Sequence, residues 1–172
     1  MIEKQPSVAS VALKYGLAGG VIAVLYSAIL MIFGQSTNKW LAFLSYFILV
    51  GAMVVAMQQF KKENQGFMSY GQGLGLGTLV ATIIGVLSGV FTVIYTTFVD
   101  PDYMANIMDQ QRMELEDRGM SDEQIDAALA IGESMSGPFM TLVMSIFGFA
   151  LIGLLLSLVI SAIMKKNRPQ FE

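Results

Sequence analysis

The sequence predicts an all-α, polytopic membrane protein with four transmembrane helices. Three observations carry this. Four stretches free of charge, residues 15–38, 40–60, 66–99 and 134–164, reach the roughly 20 residues needed to cross a hydrocarbon core about 30 Å thick. The chain is 55% hydrophobic and only 13% charged, against about 25% charged in soluble domains. Of ten basic and thirteen acidic side chains, twelve lie between Asp100 and Glu133, which leaves eleven for the other 138 residues. A water-soluble fold of 172 residues cannot bury so much apolar surface, because its surface-to-volume ratio is too high. A soluble enzyme, a nucleic-acid binder and a disordered chain are thereby excluded.

The spans follow in order. The first is placed at about residues 13–34; its apolar run exceeds the 7–15 residues of a signal-peptide core, and no small-x-small cleavage site follows it, so it reads as an uncleaved span. Gly34-Gln-Ser-Thr-Asn-Lys39 turns the chain into the second span, about 40–60. The third is placed at 71–99 and the fourth at 138–164, with an acidic insert at 100–137 between them. With four spans, Lys4, Lys14, Lys61, Lys62, Lys165, Lys166 and Arg168 share one side, and Lys39, Arg112 and Arg118 the other. Basic loops stay in the cytoplasm, so this asymmetry puts both termini inside and the insert outside. Trp40, Tyr95 and Phe98 are expected near the outer interface, and Phe60, Phe67 and Tyr70 near the inner one.

The insert reads as a helical hairpin. Asp100-Pro101 opens its first helix. Met104, Ile107, Met108, Gln111 and Leu115 form one stripe at helical spacing, and Gly119 is a left-handed stop. Ser121 with Gln124 forms a capping box for the second helix, whose expected inner face is Ile125, Ala128, Leu129 and Gly132. Gly137-Pro138 ends it. Ten acids and two arginines give the insert a net charge of −8. Glu114, Glu116, Asp117, Asp122 and Glu123 are the candidate docking residues for a basic partner, with a solvated cap as the plainer reading. A calcium loop starting at Asp100 fails, because Ala105 and Gln111 stand where Gly and Glu are required. Copper binding by the Met104, Met108, Met113, Met120, Met135 and Met140 thioethers competes poorly with their use in packing.

Inside the spans, Gly73, Gly77, Ala81, Gly85 and Gly89 recur at every fourth residue. That makes a small-residue ridge of the kind that lets helix backbones approach closely in a bilayer. Thr141, Ser145, Gly153, Ser157 and Ser161 form a matching stripe in the fourth span, interrupted by Phe149, and Gly16 and Gly20 a shorter one in the first. Flexibility for a substrate path is the second reading of these glycines. Val80 and Val86, off the ridge, should both tolerate Leu. The glycine-rich start of the third span lacks the Gly-Lys-Ser/Thr of a phosphate loop and the strand of a dinucleotide fold. No charge falls in mid-span, which argues against a proton-coupled pathway. Thr82, Ser88, Thr92, Ser145 and Ser157 are expected to bond back to helix carbonyls. The chain has no Cys and no His, so thiol chemistry and the usual general base are missing. No enzyme, cofactor, metal or nucleic-acid partner is expected.

Two segments point to a family. Lys61-Lys-Glu-Asn-Gln-Gly-Phe-Met-Ser-Tyr-Gly-Gln72, together with Asp100-Pro-Asp-Tyr, Gln110-Gln-Arg112 and Arg118-Gly-Met-Ser-Asp-Glu-Gln124, resembles the domain of unknown function 4199, small four-span membrane proteins of Bacteroidota. The resemblance covers nearly the whole chain and carries no catalytic residues. It implies a bacterial inner membrane, which would make the insert periplasmic. The expected role is a non-enzymatic structural or accessory subunit that uses its small-residue faces for self-association or to join a larger membrane complex. A small transporter or channel component for a neutral solute is the alternative.

This topology is testable without background labelling. Cysteines replacing Gln35 and Ser121 should react with an impermeant maleimide in intact spheroplasts, and those replacing Gln65 and Asn167 should not. Labelling at Asn167 with protection at Ser121 would invert the orientation.

Overall fold

Residues 6–168 are described in a computed structural model in which most of them are helical and the rest form short connections. The order is α1 (Val8–Ile32), α2 (Lys39–Glu63), α3 (Tyr70–Ile94), a π-helical turn (Tyr95–Val99), α4 (Tyr103–Asp117), α5 (Asp122–Ser134) and α6 (Pro138–Met164). Helices α1, α2, α3 with its π turn, and α6 are each long and apolar enough to cross a membrane. The first begins at Val8, ahead of the expected residue 13, so that Lys14 lies nearly two turns inside the helix.

Local chemistry fixes the helix ends. The Asn38 side chain accepts from the backbone N–H groups of Trp40 and Leu41 and starts α2. At α3, Ser69 and Gln72 cap reciprocally: Ser69 N–H donates to Gln72 Oε1 (2.9 Å) and Gln72 N–H to Ser69 Oγ (3.2 Å). Three helices end alike. Gly34 after α1, Gln65 after α2 and Gly119 after α4 have φ of 62°, 56° and 76°. In each case the following N–H returns to a carbonyl of the last turn: Gln35 to Leu30, Gly66 to Lys61, Met120 to Leu115. Gln65 adopts this left-handed conformation without being glycine. Pro138 occupies the first position of α6, where a missing N–H costs nothing, so Gly137-Pro138 opens α6 rather than closing α5.

The chain forms two compact units, residues 1–88 with 145–172, and residues 89–144. In the first, α3 is the central helix. Its Leu76, Val80, Ala81 and Ile84 are wholly buried, beside Met53, Ala56, Met57 and Phe60 of α2. Helix α1 presents glycines to its neighbours. A Cβ on Gly16 would lie 2.8 Å from Ile83 Cβ and one on Gly19 2.7 Å from Ala52 Cβ, while Gly20 meets the Leu87 side chain. The Tyr26 hydroxyl donates to the Leu41 carbonyl (2.8 Å) and ties α1 to α2.

The α3–α6 contact is a seam in which both helices step by four residues in opposite directions. Gly73 faces Ser161, with Oγ 2.8 Å from where a Cβ would be; Gly77 faces Ser157; Ala81 fits against Gly153. One step on, a Cβ at Gly85 would come within 2.7 Å of Phe149 Cβ. Phe149 therefore does not interrupt the stripe, because Gly85 makes room for it. Ser145 Oγ donates across the seam to the Gly85 carbonyl (2.9 Å) and not back into its own helix. Thr82 does bond back, to Thr78 (2.8 Å). Ser157 and Ser161 are fully buried, and their hydroxyls have no hydrogen-bond partner among the described residues. They fill the space above two glycines.

The second unit holds the π turn, α4 and α5. The extra residue per turn leaves the Asp100 N–H bonded to the Tyr95 carbonyl (2.9 Å), and Thr96 Oγ1 donates to Thr92 (2.9 Å). Tyr95 packs edge-on against Tyr103 and beside Phe91. It is 7% exposed, so its ring serves packing; Phe60, in the other unit, is likewise buried. Of the other rings expected at the interfaces, Trp40, Phe98 and Tyr70 are exposed and Phe67 is half-buried. Helix α4 begins at Tyr103, two residues after the expected proline, with Asp102 at its N-cap. Along its stripe Met104, Ile107, Met108 and Leu115 are half-buried and Gln111 is exposed. On α5 the expected inner face shrinks to Ile125, fully buried, and half-buried Leu129; Ala128 and Gly132 are exposed. Gln124 Oε1 accepts from Ser121 N–H (3.2 Å).

Expectation and structure part at Val80: it is fully buried, so a larger side chain there is not innocuous, whereas Val86 is 38% exposed. Gly77→Leu and Gly85→Leu should each destabilise the purified protein by about 1–3 kcal/mol through overpacking. Val86→Leu should leave its detergent melting temperature unchanged. Equal melting for all three would show that the seam is not closely packed.

Candidate functional site

Three features stand out beyond the packed core: the acidic helices, a basic cluster at one end of α2 and α6, and an apolar groove. Each was assembled differently by the chain.

The acidic helices carry the expected docking residues. Glu114, Glu116 and Asp117 close α4, Asp122 and Glu123 open α5, and all five are exposed. Asp122 and Glu123 suit the positive end of the α5 dipole. Arg112 of α4 donates to Asp126 of α5, which pins the two helices side by side, and Arg118 stands 3.7 Å from Glu114. Both arginines are thus engaged within the unit. Glu116, Asp117, Asp122 and Glu123 are paired with no cation among the described residues.

The small-residue positions fall in a different class. Gly73, Gly77, Ala81 and Gly85 on α3, with Gly153, Ser157 and Ser161 on α6, meet one another or Phe149 inside a single chain. Gly89 is buried and belongs to the 89–144 unit. A face already filled by α6 is not free to receive a second copy.

The basic cluster is what sequence reasoning missed. After α6 the backbone makes a two-way bridge: Met68 N–H donates to the Lys166 carbonyl (2.9 Å) and Lys166 N–H to the Met68 carbonyl (2.8 Å). Asn64, 5% exposed, is the pivot; its Nδ2 donates to the Phe67 carbonyl (2.8 Å) and its Oδ1 accepts from Arg168 (3.1 Å). Lys61 Nζ donates to the Met164 carbonyl (3.1 Å), capping the negative end of α6. The Lys166 ammonium and the Arg168 guanidinium lie 5.6 and 5.8 Å from the Phe67 ring. The only signal in the sequence was the presence of basic pairs at 61–62 and 165–166 on the same predicted side.

The groove lies between α2 and α6 and has a volume of about 430 Å³. Its lining, which includes Phe43, Tyr46, Phe47, Ile152 and Leu155, presents no polar surface. It can accept a hydrocarbon chain. Among the described residues, no three Asp or Glu side chains are grouped as metal ligands.

No curated protein and no solved structure matches the chain. A family model described as a protein of unknown function, DUF4199, matches residues 14–166. That match takes in both segments that suggested the resemblance, α1 from residue 14 onward, and the other three long apolar helices whole. The chain belongs to the DUF4199 family.

Proposed function

We propose that this multi-pass membrane protein is a non-enzymatic accessory subunit of a larger complex in a bacterial inner membrane. Its acidic helices would be the docking element. The observation that carries the reading is the set of exposed carboxylates at the α4–α5 turn, Glu116, Asp117, Asp122 and Glu123, which have no cation partner among the described residues. Charge of one sign held on a rigid helix pair favours a partner of opposite sign, setting association rate and specificity more than affinity. The seven-to-three distribution of basic residues supports cytoplasmic termini, hence a periplasmic position for this pair. Small-residue faces were one expected route to association. Because α3 and α6 use theirs on each other, the acidic helices are the better candidate.

Replacing residues 103–133 with a short Gly/Ser linker should leave the protein inserted at near wild-type yield but unable to co-purify its partner. Changing Glu114, Glu116, Asp117, Asp122 and Glu123 to amides should reproduce the loss. Wild-type association should weaken as salt is raised. A deletion variant that inserts and retains every stoichiometric partner would end the docking role, and solute flux through liposomes holding the protein alone would favour a carrier instead.

A further inference from the structure

We propose that the basic cluster at the ends of α2 and α6 is a binding site for the headgroup of an anionic phospholipid. Five cations, Lys61, Lys62, Lys165, Lys166 and Arg168, are gathered where the Met68–Lys166 bridge folds the segment after α6 back onto the α2–α3 turn. Two are consumed in building the platform: Lys61 on the Met164 carbonyl and Arg168 on buried Asn64. Lys62, Lys165 and Lys166 are exposed, and none forms an ion pair with a carboxylate among the described residues. Glu63 is the sole carboxylate of the α2–α3 turn, and its Oε1 accepts from the Gln59 amide (2.8 Å). The site therefore holds excess positive charge on a backbone braced from both sides.

What distinguishes a lipid from a free phosphate is the surface next to the charges. On α2, Val55 and Lys62 share a face at a spacing of seven residues. On α6, Val159 and Ile163 are exposed just before the cations. The Ile163 side chain is 78% exposed one residue from the helix end. Fixed cations bordering bare aliphatic surface match an amphiphile with an anionic head and hydrocarbon tails, and juxtamembrane basic clusters attract anionic lipids.

The full-length protein, delipidated in a neutral detergent, would be titrated with phosphatidylglycerol, with phosphatidylcholine and with inorganic phosphate, reading bound lipid by native mass spectrometry and melting temperature in parallel. Phosphatidylglycerol should bind in preference to phosphatidylcholine and raise the melting temperature. Changing Lys62, Lys165 and Lys166 together to Gln should cost about fivefold in affinity per lysine, on the order of a hundredfold in all; the matching Arg variant should bind like the wild type. Equal binding of the two lipids, or an unaffected Gln variant, would overturn the proposal. So would an Arg variant as weak as the Gln one. Stabilisation by millimolar inorganic phosphate as strong as that by the lipid would replace it with a free-anion site.

Discussion

Close approach of α3 to its neighbours is the constraint on which the first unit rests. Between apolar helices in a bilayer there is no hydrophobic gain, because lipid tails solvate leucine as well as another helix does. Association must come from dispersion at short range and from hydrogen bonds shielded from water. Both fall steeply with separation. Glycine at positions 73, 77 and 85 removes the side chain that would hold α6 away, and Gly153 does the same for Ala81. The short separation then permits the Ser145–Gly85 hydrogen bond. On its other sides α3 is received by glycines of α1 and by the flexible methionines of α2, whose methyl groups come within 2.9 Å of where a Gly77 Cβ would sit.

How much of this was legible in the sequence depended on whether the signal was local. Four long apolar runs with charge gathered between two of them were enough for the class and the number of candidate spans. The Gly119 stop could be read because a left-handed residue after an amphipathic stripe is a local event. Ser69-x-x-Gln72 is an equally local capping signal, masked in the sequence by the run of glycines that follows it. What a ridge faces is not local. The four-residue repeat showed that something packs closely on α3 but could not say whether a second copy or α6 would fill it. Val80 was misread for the same reason: with three helices around α3, a residue off one seam lies in another. The burial of Tyr95 and Phe60 was equally hidden, because aromatic residues at helix ends can face either lipid or a neighbouring helix.

The charged features illustrate two ways of using ions in a membrane protein. At the end of α6 the cations are anchored to backbone carbonyls, to Asn64 and to the Phe67 ring, so charge closes a junction between segments about a hundred residues apart in sequence. On α4 and α5, Arg112 joins the two helices through Asp126 and Arg118 pairs with Glu114 along α4, and most of the carboxylates stay outward. Exposed ion pairs contribute little stability, typically under about 1 kcal/mol. Neither set of outward charges therefore contributes much to holding the fold together.

The central claim is that the α3 ridge is occupied by α6 of the same chain. A cysteine pair replacing Gly73 and Ser161 tests it directly. Their Cβ positions are 3.0 Å apart before relaxation, close to the about 3.5–4.5 Å of a disulfide, and the chain has no other cysteine. After mild oxidation in membranes, trypsin cleavage at Arg112 or Arg118 should leave the two halves joined on a non-reducing gel and separated on a reducing one, with the uncleaved protein running as a monomer. Disulfide-linked dimers, or halves that separate without reductant, would contradict the account.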